Sequence, residues 1–263
     1  MQIKPRRSKR VSEILNELSL SSKRGVAWLI DPDEFDFEKL EEEFFCQASQ
    51  AELDLIFIGG SQGLTTGVDE LISALQQKLP SIPKVIFPGS ELQISDQADA
   101  LLFLSLLSGR NPEYLIGQQV KAVEKLRSSQ LEILSTAYLL VNDGDICSVH
   151  RKSETFPLLN QNIDQIVNTA LAGKYLGMRH FYLDAGSGSD STVSPEVIKA
   201  VKSAVNRPLI VGGGLDSLEK VQRCFDADAD LIVVGNQVQK NPDFLIEVLD
   251  YKRFYNAALH IDE

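Results

Sequence analysis

A chain of 263 residues, 43% hydrophobic and 24% charged, has the make-up of an ordinary folded protein, which excludes a collagen, a wholly disordered chain and a disulfide-stapled miniprotein. Its formal net charge of −11 argues against nucleic acid as the main partner. The three cysteines, Cys46, Cys147 and Cys224, are scattered, with no metal spacing and no disulfide framework, so a cytoplasmic setting is expected.

The chain opens on a basic stretch, Lys4, Arg6, Arg7, Lys9 and Arg10, with no apolar signal-peptide core behind it. Residues 1–25 hold seven cationic and two anionic side chains, a net of +5, which leaves −16 for the remainder. Residues 1–24 therefore read as a basic arm or helix. It is either solvated ahead of the fold or held at an anionic membrane surface by peripheral contact.

Strands are expected at 26–30, 53–58, 84–87, 100–104, part of 131–141, 180–183, 208–211 and 230–234, where Val, Ile, Leu and Phe cluster. Most of these runs are apolar on successive residues, the pattern of parallel strands buried on both faces. The longest apolar stretches, 53–58 and 100–107, are far short of the roughly 20 residues that cross a bilayer. Helical spacing fills the gaps. In 35–50 the apolar positions are Phe37, Leu40, Phe44 and Phe45, and 69–79, 112–127 and 163–176 repeat the pattern. Gly177 stops the last of these, Ser194 caps a helix that begins with Pro195, and Ser217 opens another. The gap between the third and fourth strands leaves room for a reduced helix only, and 142–161 form a long polar loop, read as a lid or an added hairpin. Eight strands alternating with helices predict one α/β domain over 25–263, a (β/α)8 TIM-like barrel; the alternative is an open doubly wound sheet.

Such barrels carry their chemistry where the strands end. The sixth strand runs into Tyr182, Leu183, Asp184, Ala185, Gly186, Ser187 and Gly188; the seventh into Gly213 and Gly214; the eighth into Gly235 and Asn236. Glycines let backbone N–H groups approach an anion closely, so three such loops predict a phosphate cradle. The first strand ends in Asp31-Pro32-Asp33 and the second in Gly59-Gly60-Ser61-Gln62-Gly63. Asp31 and Ser61 offer the hard oxygens that Mg²⁺ takes, but Asp31 and Asp33 equally suit the capping of a turn, and both readings stand. His180 reads as a structural hydrogen-bonding residue, His150 and Arg151 as part of a solvated loop, and Trp28 as core. Phe87, Pro88 and the 101–107 region suit either an apolar groove or the core.

Taken together, Leu29-Ile30-Asp31-Pro32-Asp33, Phe57-Ile58-Gly59-Gly60-Ser61-Gln62-Gly63, Phe181 to Gly188, Val211-Gly212-Gly213-Gly214 and Val233-Val234-Gly235-Asn236 resemble the geranylgeranylglyceryl phosphate synthase family, which includes the bacterial heptaprenylglyceryl phosphate synthases. The long chain and the Ala-Gly-Ser-Gly loop are similar to the larger archaeal-type group. The resemblance implies a prenyltransferase that joins sn-glycerol 1-phosphate to a polyprenyl diphosphate, such as geranylgeranyl diphosphate, as an ether. It implies Mg²⁺ on Asp31 and Ser61, and glycerol phosphate on Tyr182 to Gly188, Gly213, Gly214, Gly235 and Asn236. On that reading Asp184 is the catalytic base and Tyr182 orients the hydroxyl or shields the allylic cation.

Two departures stand out. Asp184 occupies the place where family members commonly have Glu. The lysine that many members carry after Asp-Pro-Asp or near the start of the first strand is replaced by Glu34, Trp28 and Leu29. A homo-oligomer is expected. The competing functions are a sugar-phosphate isomerase-type barrel and a non-catalytic prenyl- or phospholipid-binding barrel.

Overall fold

The structure, a computed structural model, describes residues 9–35, 42–60, 67–90 and 93–259. At its centre lie β1 (Gly25–Ile30), β2 (Leu55–Ile58), β3 (Lys84–Ile86), β4 (Ala100–Leu106), β5 (Glu132–Asn142), the two-residue β6 (Leu158–Leu159), β7 (His180–Asp184), β8 (Leu209–Gly212) and β9 (Leu231–Val234). All but β6 follow one another around a parallel ring that β9 closes against β1, leaving no edge. β6 is added to the far end of β5. The fold is the expected TIM-like barrel.

The unbroken apolar runs have a simple cause. Alternate strand residues serve two cores. Ala27, Leu55, Phe57, Leu102 and Ile210 point into the ring, while Val26, Trp28, Ile56, Leu183 and Ile232 pack outward beneath the helices. Trp28 sits edge-on to Phe35 and Phe44, so it is core, as its strand position predicts.

The helices are α1 (Val11–Ser21), α2 (Glu42–Gln50), α3 (Val68–Lys78), α4 (Gln118–Leu126), α5 (Ser148–Ser153), α6 (Ile163–Tyr175), α7 (Pro195–Val205), α8 (Leu218–Asp226), α9 (Asn236–Lys240) and α10 (Asp243–Ala258); a π-helical turn, Glu113–Gly117, leads into α4. α7 starts as its sequence predicts: the Ser194 hydroxyl accepts the Val197 N–H at 3.3 Å, with Pro195 in the first turn. The described residues between β3 and β4 form no α-helix. The loop at 142–161 folds into α5 and β6. Phe37 and Leu40, expected on the second helix, lie outside the described residues. Among the described residues no helix is long and apolar enough to cross a membrane.

The solvated-arm reading fails for residues 11–21. Val11, Leu15 and Leu18 fall on one face of α1 and are buried in the inner core at the start of the strands. Glu132, at the beginning of β5, accepts the Val11 N–H at 2.7 Å and the Ser12 N–H at 3.3 Å, placing a carboxylate on the positive end of the helix. α1 is thus a stopper at the end opposite the strand-end loops. Lys4, Arg6 and Arg7 lie outside the described residues.

A buried ion pair ties α1 and α7 to the ring. The Lys202 ammonium donates to Ser19 at 2.7 Å and lies 2.6 Å from Asp230, which is 1% exposed and also accepts the Leu209 N–H at 2.7 Å. Removing one member of such a pair strands the other charge. Asp230→Ala is therefore expected to destabilise the fold by about 3–5 kcal/mol, read from denaturant unfolding. A loss below about 1 kcal/mol would show that the pair is worth no more than an exposed one.

Candidate active site

The strand-end loops surround a cavity of about 440 Å³. Its wall takes Asp31 from β1, Gly59 and Gly60 after β2, Phe87 to Ser90 after β3, Tyr182 and Asp184 from β7, and the loops carrying Ser187, Gly188, Gly213, Gly214, Gly235 and Asn236. The cavity also extends along β4 and α4, where Leu101, Phe103, Leu104, Gln118 and Ala122 line it with Tyr114. One continuous space therefore joins the glycine loops, the Asp31 end and an apolar groove. Ser61 lies outside the described residues, as do Gln62 and Gly63.

Asp184 lies against the glycine loops on the cavity wall. It is only 6% exposed. Its Oδ2 accepts the Tyr138 hydroxyl at 2.6 Å and its Oδ1 the Gly186 N–H at 2.7 Å. Burial raises its carboxyl above the ordinary range, and these two donors oppose the rise. Burial beside Asp184 pushes the Tyr138 and Tyr182 hydroxyls well up, so both stay protonated and Tyr138 is a fixed donor. The Tyr182 ring stacks on Phe87 with centroids 5.3 Å apart and lies edge-on to Tyr138 at 5.4 Å. Phe57 lies edge-on to Phe87, so the four rings form an aromatic floor.

The glycine loops lock together. A Cβ at Gly213, which has φ +83°, would lie 2.6 Å from the Gly186 nitrogen and 2.7 Å from the Ala185 nitrogen. Ser187 and Asn236 join the loops after β7 and β9, the Asn236 Nδ2 donating to the Ser187 Oγ at 3.1 Å. Lys220, from the first turn of α8, donates to the Gly214 carbonyl at 3.1 Å and to the Asp190 carbonyl at 3.4 Å, bracing two loops from one side. On the other side the Asp145 carboxylate accepts the Ser189 and Ser191 hydroxyls at 2.8 and 3.0 Å. The Leu183 and Ala185 side chains turn outward into the core, so both act here through their backbone.

Just past β1, Asp31 makes the turn that its sequence allows. Its Oδ1 accepts the Asp33 N–H at 3.1 Å, making the turn, and its carboxylate faces the cavity over Gly60, where a Cβ would overlap it. Burial raises its carboxyl, with Glu34 and Asp33 pushing the same way. A carboxylate so placed favours a cation. Among the described residues no three of His, Cys, Asp and Glu gather as a metal site. Mg²⁺ needs only one or two carboxylates when substrate phosphates share it, and Asp31 fits that pattern.

A family model described as the PcrB family matches residues 20–252. The chain belongs to the PcrB family. A geranylgeranylglyceryl phosphate synthase from Spirosoma linguale is 42% identical over 250 residues, 94% of this chain and 98% of the relative. The synthase from Sulfolobus acidocaldarius is 36% identical over 252 residues, 95% of each. Among solved structures, the (S)-3-O-geranylgeranylglyceryl phosphate synthase of Thermoplasma acidophilum, in complex with its substrate sn-glycerol-1-phosphate, superposes with a TM-score of 0.80 at 34% identity and covers 92% of this chain and 96% of that one. An Escherichia coli aldolase at 16% identity and a TM-score of 0.55 shares the fold alone.

In this PcrB-family chain the cavity wall takes Asp31, Tyr182, Asp184, Ser187, Gly188, Gly213, Gly214, Gly235 and Asn236 of the residues singled out from the strand ends, while Leu183, Ala185 and Gly186 lie behind it. In the loop after β5, Arg151 is exposed as expected, but His150 was misjudged. His150 is buried, not solvated, and its Nδ1 accepts the Cys147 N–H at 3.1 Å. Cys147 in turn packs against Gly186, its Sγ 3.7 Å from the Ala185 carbonyl. His180 has the expected structural role, with Nδ1 3.3 Å from the Ser135 carbonyl. Sequence reasoning missed Tyr138. Its one available signal was a polar-tipped ring inside an apolar strand, in register with Tyr182 on the neighbouring one.

Proposed function

We propose that this chain joins the free primary hydroxyl of sn-glycerol 1-phosphate to the allylic carbon of a polyprenyl diphosphate, geranylgeranyl diphosphate first among them, forming an ether and releasing pyrophosphate. The observation that carries this reading is the single cavity whose wall takes Asp184, the glycine loops, Asp31 and an apolar groove along β4 and α4.

The backbone N–H groups of the loops after β7, β8 and β9 suit a phosphate, and Lys220, paired with Asp216 at 3.0 Å, braces them from behind. Asp184, held by Tyr138 and Gly186, takes the hydroxyl proton. Its raised carboxyl makes it a better base than an exposed aspartate. Tyr182 and Phe87 both line the cavity, and an allylic carbon gathering positive charge there would meet aromatic rings. Asp31, with Ser61 beside it in the sequence pattern, would hold Mg²⁺. When bound, the ion neutralises charge on the departing diphosphate. The groove along β4 and α4 takes the tail, and each CH₂ removed from water contributes about 0.8 kcal/mol.

A cytoplasmic location fits the free Cys46, Cys147 and Cys224. The exposed apolar side chains Ile116, Val120 and Val123, on one face of the turn and helix over 113–126, support the homo-oligomer. Incubation with sn-glycerol 1-phosphate, prenyl diphosphates of graded length and Mg²⁺ tests the reaction. Ether product that requires the metal and is favoured with the C20 diphosphate is expected. Absence of product with every chain length would refute the proposal.

A further inference from the structure

The Asp31 end of the cavity poses an electrostatic problem. Asp31 and Glu34 both line it, yet on the proposed reaction this end receives a diphosphate. A single divalent ion cannot offset all the negative charge gathered there. Among the described residues, the lysines on the cavity wall are Lys152 and Lys240. Lys240 closes α9, beside the glycine loops. Lys152 comes from α5, on the insertion after β5.

Three contacts fix where Lys152 stands. Its ammonium donates to the Gly89 carbonyl at 3.1 Å. Gly89 is pressed against Gly60, whose carbonyl a Cβ on Gly89 would overlap, and Gly60 lies directly under the Asp31 carboxylate. The Lys152 carbonyl accepts the Tyr114 hydroxyl at 3.1 Å, which pins α5 to the turn at the mouth of the apolar groove. The ammonium therefore stands between the groove and the Asp31 end. A prenyl diphosphate with its tail in the groove must place its head group at that junction. An ammonium on a four-carbon stem turns readily from a carbonyl to a phosphate oxygen and brings a full charge with it.

From this placement, and resting on the reaction proposed above, we propose that Lys152 binds the diphosphate head of the prenyl substrate and neutralises it as it departs. The bond that breaks joins the allylic carbon to the diphosphate oxygen. Its electron pair leaves with the pyrophosphate, and Lys152 stabilises that charge without giving up a proton.

The test uses the full chain and the variants Lys152→Met and Lys152→Arg. With sn-glycerol 1-phosphate saturating, Lys152→Met is expected to raise KM for geranylgeranyl diphosphate by roughly 10- to 100-fold, the range of one charge-assisted hydrogen bond. KM for sn-glycerol 1-phosphate should stay within about twofold of the wild type, and Lys152→Arg should recover most of the loss, because the lysine acts as a cation. Calorimetric titration with inorganic pyrophosphate, glycerol phosphate present, should show affinity weakened by the same factor in Lys152→Met. An unchanged pyrophosphate affinity, or a parallel rise in both KM values, would overturn the assignment. Should the wild type form no ether, the reaction itself would fall, and the pyrophosphate titration would still decide whether Lys152 binds the anion.

Discussion

Asp184→Asn is expected to lower kcat by roughly 10²–10⁴-fold while leaving the dissociation constant for sn-glycerol 1-phosphate within about threefold, which isothermal titration and steady-state rates together measure. The substitution suits the site. The amide oxygen still accepts the Gly186 N–H, and the Tyr138 hydroxyl can rotate to accept from the new amide group instead of donating. Phosphate binding, assigned to the glycine loops, is left alone, and only proton acceptance is lost. A mutant with near-normal kcat would remove Asp184 from the base role. The pH dependence follows with a definite sign. The base works when ionised, and burial holds its carboxyl above the ordinary value, so kcat falls with acid at a higher pH than for an exposed aspartate. Tyr138→Phe removes a donor that favours the ionised form, so that limb should move up by about one further pH unit. A limb that stays in place would show that Tyr138 does not tune Asp184.

Gly213→Ala is expected to raise KM for sn-glycerol 1-phosphate by about a hundredfold or more, because an added methyl in a packed site costs about 1–3 kcal/mol and a left-handed backbone adds about 1–2 kcal/mol. The methyl would meet the Gly186 and Ala185 nitrogens and the Asp184 Oδ1 at 2.6–2.7 Å. Two of these three atoms are main chain and cannot swing aside, so the loop to which the proposal assigns phosphate binding must move. Gly177→Ala separates the two costs. Gly177 has a similar φ of +91° but open space where the methyl would go, so it should lose stability without any change in KM. Equal kinetics in the two variants would show that the lock between the loops does not shape the binding site.

The barrel was legible in the sequence because strands buried on both faces leave unbroken apolar runs and strand ends leave glycines. The glycine loops on the cavity wall were legible for the same reason, each following directly on a strand. Tyr138 was not, since a ring in an apolar strand reads as packing until the register sets it 2.6 Å from Asp184. The clamps at Lys220, Lys152 and Asp145 depend on contacts between residues 30 to 63 positions apart, which no local pattern encodes. α1 was obscured by composition. The charges around it suggest a solvated arm, while Val11, Leu15 and Leu18, spaced four and three apart, carry the helical stripe that packs beneath the barrel.

Diffraction from crystals soaked with sn-glycerol 1-phosphate addresses the arrangement most directly. The account requires the phosphate among the N–H groups of the loops at Ser187–Gly188, Gly213–Gly214 and Gly235–Asn236, with the free primary hydroxyl about 2.6–3.2 Å from an Asp184 oxygen. A phosphate bound at the Asp31 end, or a glycerol turned away from Asp184, would contradict it.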